Sequence, residues 1–169
     1  MERAQTIATI MMLRKKQLQI VYEPDERLHV SCGEFDFERL KDHHTHHFFK
    51  LLYATMRRAK GVGIAAPQVG ECTRVCLVSQ NGKHAVLLIN PVITSRSHEQ
   101  VWAEEGCLSI PGVFGEVLRA ETIDILYYNA QGIQQTLHAE NFLARVIQHE
   151  IDHLDGILFT SKARNIHTV

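Results

Sequence analysis

The chain has 169 residues, a length typical of one domain that buries its own core. Hydrophobic residues make up 45 % of it, which argues against disorder. The 18 Lys and Arg are balanced by 19 Asp and Glu, so the charge excludes the basic excess of nucleic-acid-binding proteins. No run approaches the ~20 apolar residues of a membrane span, and no secretory signal is recognisable. The four cysteines form no C-x-x-C pair, so we predict a cytoplasmic protein with free thiols and no organellar targeting.

The first periodic segment predicts a helix over 36–61. Apolar residues recur there at three- and four-residue steps, Asp36 is a suitable N-cap, and Gly61 follows the basic last turn. Residues 1–12 are expected to be a flexible extension. Strand patterns follow, and two pairs of them predict hairpins, one around "QNG" and one around "NAQG". The predicted strands are 73–79, 83–90, 91–95, 100–104, 117–128 and 133–139.

The last periodic segment predicts a helix over 139–154, and it carries "QHEIDH". His149 and His153 are four residues apart, so a helix places both imidazoles on one face, where they can share a metal ion. Glu150 can accept a proton from a water that this metal activates. The order helix, strands, helix predicts an α+β fold. We expect mostly antiparallel β-sheets to pack around the C-terminal helix, with a further helix near the N-terminus. We expect 1–169 to form one catalytic domain with a short tail after about 160.

Two histidines do not complete a catalytic site, which needs a third protein ligand and an open position. Only sixteen residues follow His153, and Phe159 stands where one common pattern has its third histidine, so we expect the third ligand upstream. The candidates are Cys107, Cys72, Cys76 and the cluster "HHTHH" at 43–47. Cys107 is favoured because "EEGCLSIPG" reads as a turn that can direct a thiolate at a metal. The histidine cluster reads as a solvated helix face.

Three blocks resemble the signature motifs of peptide deformylases: "GVGIAAPQ" (61–68), "EGCLS" (105–109) and "QHEIDH" (148–153). They occur in the family's order, and the resemblance covers about 19–160. The first block also mimics a dinucleotide-binding loop. It follows a helix and is followed by Pro67, however, whereas that loop follows a strand and opens a helix.

The resemblance implies a site. Cys107, His149 and His153 would bind one divalent metal ion per chain, Fe²⁺ by preference, with Zn²⁺ or Ni²⁺ able to replace it. Glu150 would be the general base, and the Gln68 side chain and the Leu108 N–H would stabilise the oxyanion. The backbone around Val62 and Gly63 would pair with the substrate like an added strand.

The implied reaction is hydrolysis of the formyl group on the initiator methionine of new polypeptides, with release of formate. A water activated by the metal would attack the formyl carbon. The expected partners are formyl-Met nascent peptides, with neither membrane nor sequence-specific nucleic acid. A transient ribosome contact is implied, although the long C-terminal helix that some members use for it is missing.

Two positions depart from the family pattern near the expected peptide site. Phe114 stands where some members have an arginine that holds the peptide. Arg145 stands where many have an apolar residue of the methionine pocket, and we expect it to narrow or polarise that pocket. The alternatives are another amidase or metallopeptidase on the same ligands, and a non-catalytic relative that binds metal or nascent chains.

Overall fold

The structure, a computed structural model, describes residues 17–80 and 84–169. The extension predicted over 1–12 and most of the "QNG" turn lie outside these residues. The described α-helices are α1 (His43–Arg58) and α2 (Asn141–Leu154). The strands are β1 (Gly63–Ala65), β2 (Val75–Val78), β3 (Val86–Arg96), β4 (Gln100–Cys107), β5 (Ile110–Ala120), β6 (Thr122–Tyr128), β7 (Gln134–Glu140) and β8 (Arg164–Thr168).

The strands form two sheets in which every pairing between neighbours is antiparallel. Five strands form one sheet in the order β1-β2-β3-β6-β7, and three form the other in the order β4-β5-β8. The predicted α+β class with antiparallel sheets is therefore confirmed, and so is the hairpin around "NAQG", which joins β6 to β7. Neither helix in the described part of the chain is long and apolar enough to cross a membrane.

Helix α2 packs against both sheets and supplies one side of the main core. Its inner face is apolar, and Ala144, Ile147 and Leu154 are fully buried. They contact buried residues of β1, β2, β3 and β6, including Ala65, Cys76, Val78, Leu88 and Ile125. This burial holds the helix in place, because an isoleucine or leucine side chain contributes about 1.5–3 kcal/mol when it leaves water. The histidines of α2 are therefore on a well-anchored element.

The N-terminal helix begins later than the predicted residue 36. Asp36 caps only a short 3-10 helix, Phe37–Lys41, by accepting from the Glu38 N–H. Asp42 has extended backbone angles and accepts from the His44 N–H, so it is the N-cap of α1. The prediction was wrong here because two aspartates in one periodic segment each offer a cap, and the second interrupts the helix.

Three strand predictions also differ from the structure. β3 continues through Asn90 and Pro91 with a register shift, so the two segments predicted over 83–95 are one strand. The segment 117–128 was predicted as one strand, but it divides at Glu121 into β5 and β6, which belong to different sheets. Within the short tail predicted after about 160, Arg164–Thr168 form β8, which pairs with β5. A short strand of this kind forms because its backbone pairs with the free edge of a sheet. The sequence of the strand itself gives little indication of that pairing.

Candidate metal centre

Helix α2 directs His149, Glu150 and His153 into the interior. Glu150 is 3 % exposed and His153 is 1 % exposed, as the apolar face of the helix predicts. Burial lowers the pKa of His153 well below its usual value. Its ring is therefore neutral at physiological pH, which is the form that binds a metal ion.

Cys107 ends β4 and lies beside the two histidines. The turn at Leu108–Ser109 reverses the chain into β5, and the Ser109 N–H donates to Cys107 Sγ at 3.4 Å. Cys107 Sγ lies 3.2 Å from His153 Nε2. Ligand atoms of Cys107, His149 and His153 all lie within 4.8 Å of one another. A sulfur and two imidazole nitrogens at this separation fit one four-coordinate metal ion with one further position.

Glu105 orients the first histidine. Its Oε2 accepts from His149 Nδ1 at 2.9 Å, which leaves Nε2 to face the cluster. Burial alone would lower the pKa of His149, but hydrogen bonds with Cys107 and Glu105 outweigh it and raise the pKa to about 10. A cation that binds Nε2 would displace the proton that these hydrogen bonds favour. A carboxylate behind a histidine ligand is the usual means of fixing its ring and its tautomer. The hydrogen bond between His149 and Glu105 is therefore a further feature, in addition to the three ligand atoms, that fits a metal site.

Glu105 is itself held by two guanidinium groups. Arg119 donates to both carboxylate oxygens at 3.0 and 2.9 Å, and Arg145 Nη1 donates to Oε1 at 2.8 Å. Burial opposes ionisation of Glu105, but hydrogen bonds from His149 and Arg119 lower its pKa below the usual range. Asp152 pairs with Arg119 on the far side. The sequence did not identify Arg119 and Asp152 as parts of the site. The only signal for Arg119 was a charge between the apolar residues of 117–120, and Asp152 was hidden among the other polar residues of 148–155.

Glu150 lies beside the candidate metal ligands, where its carboxylate can act as a proton acceptor. Its Oε2 is buried and has no hydrogen-bond partner among residues 17–80 and 84–169. Burial raises its pKa to about 7. Its side chain packs against Gly63: a Cβ built on Gly63 would lie 2.8 Å from Glu150 Cδ and 2.9 Å from Cγ. The glycine of the first block therefore makes room for the carboxylate.

Gln68 belongs to the 3-10 helix Ala66–Val69, which follows β1. Its Oε1 accepts from the Ala65 N–H at 2.9 Å, and its Nε2 lies 3.4 Å from Cys107 Sγ and 3.2 Å from Ser109 Oγ. The amide is thus fixed with its donor end toward the cluster. Leu108 follows Cys107 in the turn, so its N–H belongs to the same region.

A cavity of about 370 Å³ opens onto these residues. All the predicted site residues line it except His153, which lies behind His149 in the interior: Val62, Gly63, Gln68, Cys107, Leu108, Phe114, Arg145, His149 and Glu150. The structure therefore brings together the three blocks and the two departures at 114 and 145.

The other metal candidates lie elsewhere. Cys76 is fully buried in β2, and Cys72 is exposed beside Cys32. In the 43–47 cluster, His43 is exposed, but Thr45 is buried and His46 Nε2 contacts the Leu40 carbonyl at 2.8 Å. This face is only partly solvated, which differs from the prediction, because α1 packs against the 3-10 helix before it.

The sequence comparison decides the family. The family described as polypeptide deformylase matches residues 17–169. The chain belongs to the polypeptide deformylase family. Deformylases are metal-dependent enzymes that remove N-formyl groups.

Deformylases from several bacteria are similar to the chain. It is 46 % identical over 151 residues to peptide deformylase 1 of Bacillus cereus, an alignment that covers 86 % of this chain and 91 % of the relative. A peptide deformylase from Synechococcus elongatus in complex with actinonin has a TM-score of 0.83 and 36 % identity, covering 90 % of this chain and 81 % of that one. A Met-Ala-Ser-bound class I type b deformylase from Acinetobacter baumannii has a TM-score of 0.81 and 34 % identity, covering 86 % and 98 %.

Proposed function

We propose that this chain removes the formyl group from the initiator methionine of newly made polypeptides and releases formate. The observation that carries the proposal is the convergence of Cys107, His149 and His153 within 4.8 Å, with the buried Glu150 beside them at one cavity. Family membership supports the reaction class. The partners would be formyl-Met nascent chains in the cytoplasm, with at most a transient ribosome contact.

The three ligand residues would hold one divalent cation per chain, and we propose Fe²⁺, with Zn²⁺ or Ni²⁺ as substitutes. One thiolate and two imidazoles suit all three ions. When bound, the cation supplies Lewis-acid activation of a water and of the formyl oxygen. The chain contributes the geometry: Glu105 fixes the His149 ring, and the turn after Cys107 fixes the sulfur.

Glu150 would take the proton of the attacking water and return it to the leaving amine. A general base works best when its pKa lies near the working pH, and burial raises the pKa of Glu150 to about 7. Gln68 Nε2 and the Leu108 N–H would donate to the oxygen that becomes negative in the tetrahedral state. One such donor typically lowers the barrier by about 3 kcal/mol.

The free edge of β1 would bind the peptide backbone. β1 pairs with β2 on one side, and it is the edge strand of the five-stranded sheet. The Val62 carbonyl accepts from the Ser79 N–H at 2.7 Å. Hydrogen bonding alternates along an antiparallel strand, so the N–H and C=O of Gly63 point to the free edge. A peptide could add there as a strand. Phe114 would flank it from β5.

Arg145 would narrow the methionine pocket with its stem. The guanidinium points away from the pocket, because it donates to Glu105 and to the carbonyls of Val101 and Val117. We expect Arg145→Ala to reduce the preference for formyl-Met over formyl-Ala peptides by about tenfold. Arg145→Met should keep that preference, because it keeps an apolar stem and loses the guanidinium group with its hydrogen bonds. The measurement is the ratio of kcat/KM for formyl-Met peptides to kcat/KM for formyl-Ala peptides. If this ratio changes equally in both variants, the guanidinium group and not the stem sets the preference.

The function is tested by formate release from formyl-Met-Ala-Ser with protein loaded anaerobically with Fe²⁺ or Ni²⁺. We expect turnover in the parent and a loss of about 10²–10⁴-fold in Glu150→Gln, with the metal content unchanged. Glu99→Gln is the control, since Glu99 is exposed on the segment before β4. A fully loaded parent that binds the peptide without releasing formate would contradict the enzyme proposal and favour a binding role.

A further inference from the structure

Two cysteines outside the metal centre lie side by side. Cys32 follows the 3-10 helix Glu26–His29, and Cys72 precedes β2, forty positions later in the chain. Their Sγ atoms are 3.5 Å apart. The loops are joined directly after both cysteines, where Gly33 and Thr73 form a parallel bridge and the Arg74 N–H donates to the Gly33 carbonyl at 3.0 Å. Backbone pairing therefore holds the two thiols together.

We propose that Cys32 and Cys72 are a redox modification site, at which a peroxide converts the two thiols to an intramolecular disulfide. The Cys72 sulfur attacks one peroxide oxygen, the O–O bond breaks, and Cys72 becomes a sulfenic acid as the first water leaves. The Cys32 sulfur then attacks Cys72, the S–S bond forms, and the hydroxyl leaves as a second water with the Cys32 proton. The two thiols lose two electrons together, and the peroxide gains them.

The two thiols differ in a way that suits these two steps. Cys72 is exposed, so an oxidant in solution can reach it, whereas Cys32 is only 5 % exposed. Burial raises the pKa of Cys32 to about 12, so Cys32 stays protonated at neutral pH and loses its proton only as it attacks Cys72. An accessible cysteine with a second one within reach is the usual arrangement of a reversible redox site. Cys76 is fully buried, and Cys107 is assigned to the metal.

The disulfide would fasten the loops around the carboxyl end of α2. The Cys32 N–H donates to the Leu154 carbonyl at 2.8 Å, and Arg74 Nη1 donates to Asp155 Oδ1 at 2.7 Å. Both acceptors follow His153 directly in the chain. A cross-link across forty residues restricts the unfolded chain, so the melting temperature should rise by about 4 °C or more. The active-site geometry should not change, because the cross-link joins loops that are already paired.

The test treats Ni²⁺-loaded full-length protein with hydrogen peroxide, blocks the remaining thiols, and digests with trypsin without reduction. The cleavage sites place Cys32 in peptide 28–39 and Cys72 in peptide 61–74. We expect mass spectrometry to find these two peptides linked and to find them separate after reduction. The melting temperature should rise and return with reductant, while formate release should stay within about twofold of the untreated value.

Cys72→Ser and Cys32→Ser provide the matched controls. Neither variant should show the linked peptides or the rise in melting temperature. If the buried Cys32→Ser variant folds poorly, the peptide-linkage assay on the parent still tests the proposal. Recovery of both blocked peptides after peroxide would overturn the proposal. So would a sulfinic acid on Cys72 with Cys32 still free.

Discussion

Replacing Gly63 with alanine tests how the first block supports the base. An added Cβ would lie 2.8 Å from Glu150 Cδ and 2.9 Å from Cγ, and closer still to Oε1. Carbon atoms in contact are ordinarily about 3.5–4.0 Å apart, so the carboxyl carbon, at 2.8 Å, must move by at least about 0.7 Å. Glu150 is only 3 % exposed, so its carboxyl group can move only toward the cavity that it lines.

A shift of this size is large for a catalytic group. Misplacement by about 1 Å can cost about 100-fold in rate, so we expect kcat/KM for formate release to fall by about that factor. The three atoms nearest to the new methyl group all belong to Glu150 and none to a metal ligand, so metal content should be unchanged. Stability should fall by about 1–3 kcal/mol because the core there is overpacked.

The assay compares Gly63→Ala with Gly33→Ala, both loaded with Ni²⁺ and measured for metal content, melting temperature and formate release. Gly33 is a suitable control because a Cβ built there meets no atom within 4 Å. Gly33→Ala should keep the activity of the parent. If Gly63→Ala is folded, fully loaded and as active as Gly33→Ala, then Glu150 need not occupy its present position and the reasoning is refuted.

Two further predictions concern the metal and the surface. Glu105→Gln should weaken metal binding by about 10–100-fold in chelator competition, because an amide holds His149 and the two guanidinium groups less well; equal affinity in Glu105→Gln and in the exposed control Glu104→Gln would contradict this. Hydrogen bonds with Asp124 and Glu140 raise the pKa of exposed His138 in the folded chain, so His138 stabilises the fold below its unfolded pKa of about 6.5 and loses this effect as pH rises through the folded value. The melting temperature of His138→Gln should therefore lie further below that of the parent at about pH 5.5 than at about pH 9. A difference in melting temperature that does not change with pH would argue against the ion pairs.

The elements with a local cause could be predicted from the sequence. The apolar period of 139–154 and the four-residue spacing of His149 and His153 follow from helix geometry, and the structure has that helix at Asn141–Leu154. The hairpin between β6 and β7 likewise follows from its turn residues. A second cap within a periodic segment was enough to displace the start of α1 to His43.

Only the tertiary structure decides which distant residues meet. Cys107 was one of several candidate third ligands on residue chemistry alone, and the β4–β5 turn brings it to His153 across 46 positions. The clamp of Arg119 and Arg145 on Glu105 joins β4, β5 and α2, and no single segment shows it. Patterns in a sequence report the local periods of helix and strand. Contacts between elements depend on how the sheets and α2 pack. Short motifs in this chain therefore indicate the candidate ligand residues, whereas only the folded structure shows how the surrounding residues are arranged.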